Sequence, residues 1–333
     1  MMAWPGTIDT LVLHIEPLRF QIGSMDNFAS RQVMGKNSKG KDYLHSREYY
    51  NEPGLNITID SWGMKIFLQM PLFAGRENNL QLADERDLEF CFEKLGEVLS
   101  KQMIKAIPIS EFKVIRIDLT KDIICNQPFS FYKQVLESLY FPRMKWSQEE
   151  GSFLFKNKSR QFIFYDKKAQ MKMKGTYLEG NLMRGELKLL KGQEVSKHRI
   201  RTYGDLMADF GRLHKIFADF VSRLFVEMPL ESVDDIIEEK LRLIAQKGWK
   251  NAKKPLLWST LRGVPYNRLK DVLMETLSEG QVYNILRERQ RYMPDTLALE
   301  NGNGVQFFRN YNELRSKFLS VDLANAGSGD SYA

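Results

Sequence analysis

Apolar residues recur at every second position in several separate stretches of the chain. In TLVLHI (10–15), Leu11, Leu13 and Ile15 share one face. In NITID (56–60), Ile57 and Ile59 oppose Asn56, Thr58 and Asp60. In KVIRIDLTKDI (113–123), Ile115, Ile117 and Leu119 oppose Arg116, Asp118, Thr120 and Asp122. In QFIFYDKK (161–168), Tyr165 and Lys167 fall on the same face. In NLMRGELKLL (181–190), Met183, Leu187 and Leu189 oppose Arg184, Glu186 and Lys188. Period 2 is the mark of a half-buried strand. Two stretches have helical spacing instead. Residues 82–104 open with acids and close on lysine, as the helix dipole prefers, and 130–141 form an amphipathic run after Pro128. The order strand, strand, helix, strand, helix, strand, strand predicts an α+β fold, an antiparallel sheet with helices on one face and the other face open.

From about residue 200 the pattern is helical throughout, over 203–225, 231–248 and 266–277. The polar break KGQEVSKHRIR (191–201) sets a boundary. It divides the chain into a sheet domain (1–200) and a helical domain (201–324), and NAGSGDSYA (325–333) reads as a flexible tail. Residues 35–54 are polar, basic and glycine-rich and are expected to form a long exposed loop. No internal repeat is visible.

Composition narrows the setting. A chain of 333 residues, 43% hydrophobic and 27% charged, is ordinary for a soluble protein and long enough to bury a full core. Cys91 and Cys125 stand in no CxxC spacing, which excludes a disulfide framework and a zinc cluster and fits a reducing compartment. No apolar run reaches the roughly 18 residues of a membrane span, and the N-terminus has no signal-peptide pattern. The expected location is the cytoplasm of a bacterial cell, away from membranes. The net charge of +7 and isoelectric point near 9.1 suggest a polyanionic partner, nucleic acid being the commonest.

The polar faces of the strands carry the candidate chemistry: Asp60, then Arg116, Asp118 and Asp122, then Tyr165 and Lys167, then Arg184, Glu186 and Lys188. Antiparallel sheets often have a solvated face, and that is one reading. The other is phosphoryl transfer. Facing carboxylates hold a hard divalent cation through oxygen. A tyrosine hydroxyl attacks phosphorus and forms a covalent phosphotyrosine, and Lys167 beside it lowers the tyrosine pKa or screens the developing charge. Rival chemistries lack their residues. His14, His45, His198 and His214 are scattered, and neither a GxxxxGK phosphate loop nor a GxSxG elbow occurs.

The segments IDTLVLHIE, KVIRIDLTKDI, FIFYDKK and NLMRGELKLL, with VQFFRNYNELRSKFLSVDL near the C-terminus, follow the order of the gene II/X family of filamentous-phage and plasmid replication initiators. The chain resembles that family over most of its length. The resemblance implies a rolling-circle initiator related to the HUH endonucleases, with a sheet nuclease core. It implies Tyr165 as the nicking tyrosine, Lys167 as its neighbouring lysine, and Asp118 and Glu186 as acidic strand positions suited to Mg²⁺ or Mn²⁺. Asp60 and Asp122 are the candidates for further ligands. In 59–71 the family's lysine is kept as Lys65, whereas its glycine-x-Asn is missing, and the chain has no His-hydrophobe-His motif. Arg116, Arg184 and Lys188 are the candidate DNA contacts on the sheet. The expected partners are a duplex origin, a single-stranded nick site and a host helicase. A relaxase or transposase with the same chemistry is the neighbouring alternative. A non-catalytic nucleic-acid binder is the alternative of another class, and it would present aromatics on the sheet face.

Other residues carry two readings each. Tyr177 is a second nucleophile or a loop tyrosine. Tyr49 and Tyr50 stack on unpaired bases or lie in a solvated loop. In 276–294, Arg287, Arg289 and Arg291 sit on a recognition helix after a short turn or on the charged side of an ordinary amphipathic helix.

Overall fold

Ten antiparallel strands form a single sheet. At its middle, β1 (Thr7–Ile15) pairs with β8 (Lys113–Cys125). Outward from β1 lie β6 (Gly63–Gln69), β5 (Leu55–Asp60), β4 (Asp42–Glu52) and β3 (Ala29–Lys36). Outward from β8 lie β12 (Asn181–Leu189), β11 (Arg160–Asp166), β10 (Ser152–Lys156) and β9 (Lys145–Glu149). A short pair, β2 (Phe20–Ile22) with β7 (Ile104–Ala106), stands apart. This computed structural model describes residues 7–36, 42–76, 83–139, 141, 143–149, 151–225, 270, 272–275, 277–292 and 303–320.

Each half of the large sheet is built alike. A central strand leaves, a four-stranded meander follows, and the last meander strand returns to pair with the first. The chain repeats this topology without a visible sequence repeat. Alternation and burial, rather than particular residues, are what specify such a strand.

The apolar parity positions meet the helices. Leu11, Leu13, Ile57, Ile66, Ile117, Leu119 and Leu187 are buried in one continuous core. On it pack α1 (Met70–Phe73), α2 (Glu85–Lys101), α3 (Lys133–Ser138), α5 (Gly192–Ser196), α6 (Tyr203–Ala208) and α7 (Gly211–Leu224). The Asp84 carboxylate accepts from the amides of Arg86 and Asp87, and the Asp87 carboxylate accepts in return from the Asp84 amide, which fixes where α2 begins. The predicted 130–141 helix is a single 3₁₀ turn followed by the short α3. Phe220 of α7 stacks on Phe162 of β11 at 5.1 Å, so the α7 helix after residue 200 belongs to the same core as the sheet. Among the described residues no helix is long and apolar enough to cross a membrane.

Two residues break the strand parity, and both serve α9 (Asn303–Leu319). Lys121 lies on the apolar side of β8, fully buried, and its ammonium donates to the carbonyls of Phe318 (3.1 Å) and Ser320. Cations suit the carbonyls that end a helix. Gly185, opposite Lys121 on β12, leaves the space that the Phe318 ring fills. A Cβ there would lie 2.6 Å from that ring. Gly185→Ala is therefore expected to destabilise the fold by about 1–3 kcal/mol through overpacking. The check is the midpoint of thermal unfolding, and an unchanged midpoint would show that α9 does not need this notch.

One expectation is corrected. The segment 35–54 is not a loop: it spans the end of β3 and nearly all of β4. The hairpin lies at the sheet edge, with Ser30, Ser46 and Glu48 hydrogen-bonded on its surface, so neither face is apolar enough to alternate. The predicted helix 231–248, most of 266–277 and the tail 325–333 lie outside the described residues.

Candidate active site

Strand register gathers the polar positions of β11, β12 and β8 into rows on the side of the sheet opposite the core. Tyr165 faces Arg184, which faces Asp122. Two residues along, Glu186 faces Thr120, and two further, Lys188 faces Asp118. Side chains two apart on a strand share a face, so these rows stack into one patch.

Arg184 organises the first row. Its Nε and Nη2 donate to the two Asp122 oxygens at 2.5 and 2.6 Å, and its Nη1 lies 3.9 Å from Asp9. The side chain is only 1% exposed. Burial works against its charge, but Asp122 more than restores it, so Arg184 stays charged. In the third row Arg116 donates to both Asp118 oxygens, at 2.8 and 2.5 Å. Lys188 lies between two acids, 3.1 Å from Glu186 and 4.0 Å from Asp118.

The two buried carboxylates are disfavoured as anions. Asp118 is 1% exposed, and burial pushes its pKa above the usual carboxylate range despite Arg116. Burial does the same to Glu186, with Lys188 opposing and Asp9 and Asp118 adding repulsion. Tyr165 is half-buried, and burial drives its phenol well above the ordinary value. Arg184 is the cation that opposes this shift, while Glu186, Asp122 and Asp9 add to it.

Lys167 sits differently from the strand position its spacing predicts. β11 ends at Asp166, whose carboxylate accepts from the Ala169 amide and starts α4 (Lys167–Met173). Lys167 is thus the first residue of a helix that begins beside Tyr165. Its Nζ donates to Gln170 and lies 5.9 Å from the centre of the Tyr165 ring. Burial, and then Arg184, pull its pKa down to about 8.

Asp9 joins the patch although its sequence position does not announce it. Ile8 pairs with Leu119 and Thr10 with Asp118, so β1 carries one extra residue, a bulge at Asp9. Bulges re-aim side chains, and this one brings an acid beside Arg184. The available signal is an acid at an apolar parity position, two before Leu11. Thr120 joins the patch too, on the polar parity of β8. Its hydroxyl is buried and has no hydrogen-bond partner among the described residues.

Not every candidate residue is gathered here. Asp60 lies at the end of β5, with β6 and β1 between it and β8, and it pairs with Arg47 at 3.1 Å and accepts from the Trp62 amide. Lys65 is exposed on β6. Tyr177 is 78% exposed in the connection before β12. Tyr49 and Tyr50 are on β4, with Tyr50 packed on Phe28. Arg287 is exposed on α8 (Glu279–Tyr292), and the side chains of Arg289 and Arg291 lie outside the described residues.

The donors that bear on a metal are hard oxygens: Asp118, Glu186 and the Thr120 hydroxyl. Among the described residues no three acidic, His or Cys side chains make a ready cage. Two buried carboxylates with raised pKa and a neighbouring orphan hydroxyl still fit a Mg²⁺-class ion, which usually takes one or two carboxylates and completes its shell with water or substrate phosphate.

The fold and patch define an α+β protein with a tyrosine in an acidic and basic cluster on the open face of an antiparallel sheet. Residues 78–219 match the N-terminal family of the gene II replication-associated protein, and over that segment the chain belongs to it. The segment holds Asp118, Asp122, Tyr165, Lys167, Arg184, Glu186 and Lys188; Asp9 lies before it. A solved rolling circle replication initiator protein from Geobacillus stearothermophilus is similar at 13% identity, over 68% of this chain and 89% of that one, with a TM-score of 0.34. No curated protein matches the chain.

Proposed function

We propose that the chain initiates rolling-circle replication by cutting one strand of an origin with Tyr165. The observation that carries this is the row Tyr165, Arg184, Asp122 beside the buried pair Asp118 and Glu186, within the segment that matches a replication family. The Tyr165 oxygen attacks the scissile phosphorus, the P–O3′ bond breaks, and the leaving O3′ takes a proton as the phenol gives one up. One phosphodiester is exchanged for another, which leaves a 5′-phosphotyrosine and a free 3′-OH primer. The reverse step rejoins the ends.

In this reading Arg184 holds Asp122 and Asp9 and favours the phenolate as it forms. Arg116 and Lys188, partly exposed, change partners from carboxylate to phosphate when the strand arrives. Lys167 faces the tyrosine ring and adds positive charge near it. Asp118, Glu186 and Thr120 would hold Mg²⁺ or Mn²⁺, which as a Lewis acid polarises a phosphate oxygen. Arg287, Arg289 and Arg291 supply affinity for the duplex origin, in a region 201–324 whose recognition part is separate from the sheet chemistry. A host helicase opens the duplex beyond the nick.

The test is incubation with supercoiled DNA of the replicon that encodes the chain, with Mg²⁺, read on a denaturing gel. The expected products are nicked circles with protein joined to one end. Binding without any nick would move the chain to the non-catalytic class.

A further inference from the structure

The open face of the sheet does not stop at the candidate active site. The row of Lys188 and Asp118 continues through Thr10 to Gln69. The next row runs from Arg116 through Val12, Phe67 and Asn56 to Asn51. The one after it runs from His14 through Lys65 and Thr58 to Tyr49. The two halves of this face differ in chemistry. The β8–β12 half concentrates acids around Tyr165. The β3–β6 half carries Lys65 and Arg31, both exposed, with Arg47, and its acid Asp60 is already matched by Arg47 at 3.1 Å. It also bears two half-buried aromatics on the polar side, Phe67 and Tyr49, where the parity of β6 and β4 asks for polar residues. The Arg31 guanidinium lies over the Tyr49 ring at 5.7 Å.

We propose that the β3–β6 half of this face is a binding platform for the single strand that flanks the cut, with bases stacked on Phe67 and Tyr49 and phosphates met by Lys65 and Arg31. Charge complementarity names the occupant: cations interleaved with aromatic rings suit an unpaired polyanion whose bases are free to stack. Continuity with the site supports it, since the rows cross β1 without a break. The reach is suitable. Four strand spacings of about 4.8 Å separate β8 from β4, roughly 19 Å, which spans about five stacked nucleotides at about 3.4 Å each. The acidic half cuts, and the basic aromatic half holds the strand in register.

This inference rests on the proposed nicking reading, so its test measures binding and cutting separately. A fluorescent single-stranded oligonucleotide covering the nick region of the encoding replicon is titrated by anisotropy against the full chain and against Phe67→Ala, Tyr49→Ala and Arg31→Ala. Each aromatic substitution is expected to weaken binding about tenfold, since stacking on one ring accounts for that much or more. Arg31→Ala is expected to weaken it less and to flatten its salt dependence. Phe67→Tyr and Tyr49→Phe, which keep the rings, are expected to bind like the parent. Covalent adduct formation should need correspondingly more oligonucleotide in the alanine variants yet reach the same yield at saturation. If Phe67→Ala loses its native circular dichroism, the exposed Arg31 and the Tyr49 variants decide alone. Folded alanine variants that bind as tightly as the parent overturn the platform, as does equal loss in the ring-keeping variants. Loss of binding in the alanine variants, with no adduct even in the parent, keeps the platform and removes the nicking reading.

Discussion

Tyr165→Phe abolishes the SDS-resistant protein–DNA adduct and all nicking above background, while origin binding and thermal stability stay near those of the parent. The substitution removes one oxygen from a half-buried ring and leaves the apolar contacts of the ring in place. In the resting protein that oxygen holds its proton firmly, since burial and the nearby Glu186, Asp122 and Asp9 all raise its pKa. Folding therefore does not rely on a phenolate there. Arg184 stays anchored by Asp122, so the row survives. With no nucleophile the covalent route is closed, and the expected loss is complete rather than graded. Nicking that persists at the parent rate would assign the attack to another group, the exposed Tyr177 first among them.

Asp118→Asn and Glu186→Gln each lower the nicking rate by about 10²–10³, equivalent to roughly 3–4 kcal/mol of barrier. Each also raises the Mg²⁺ concentration needed for half-maximal rate. Stability should move the other way or not at all. Both carboxyls have their pKa raised in the fold, so the folded state binds their protons more tightly than the unfolded chain does. Stability then falls as pH rises from the ordinary carboxylate range through the raised one, and at neutral pH the charged forms are a burden. Neutral isosteres remove the burden, so the unfolding midpoint is expected to hold or rise while cutting fails. A midpoint that collapses together with the rate would make these acids structural props. A rate that holds would take the metal away from this pair.

Much of the sheet is legible in the sequence because β8, β11 and β12 each have one face on the core and one face open, and that asymmetry writes itself as alternation. The site rows follow from the same parity. What escapes has particular causes. β10 buries Phe153, Leu154 and Phe155 in succession, so it shows no period. The β3–β4 hairpin is an edge without an apolar face. Lys121 and Gly185 are off-parity because α9, far along the chain, docks its C-terminal end against them. Asp9 enters through a bulge, which shifts parity at one residue. By spacing Lys167 is the next strand residue, yet the carboxylate of Asp166 starts a helix at that point, and Arg184 rather than Lys167 is the cation that works on the phenol. Such features depend on contacts between distant segments, which local spacing does not encode.

The central claim is a bond between one tyrosine and DNA, and peptide mapping of the adduct tests it most directly. The adduct formed on the nick-site oligonucleotide is digested with nuclease and trypsin and sequenced by mass spectrometry. The account predicts a nucleotide attached through its 5′-phosphate to the tyrosine of QFIFYDK, residues 161–167. A phosphotyrosine at Tyr177, or DNA cut with no residue modified, would contradict it.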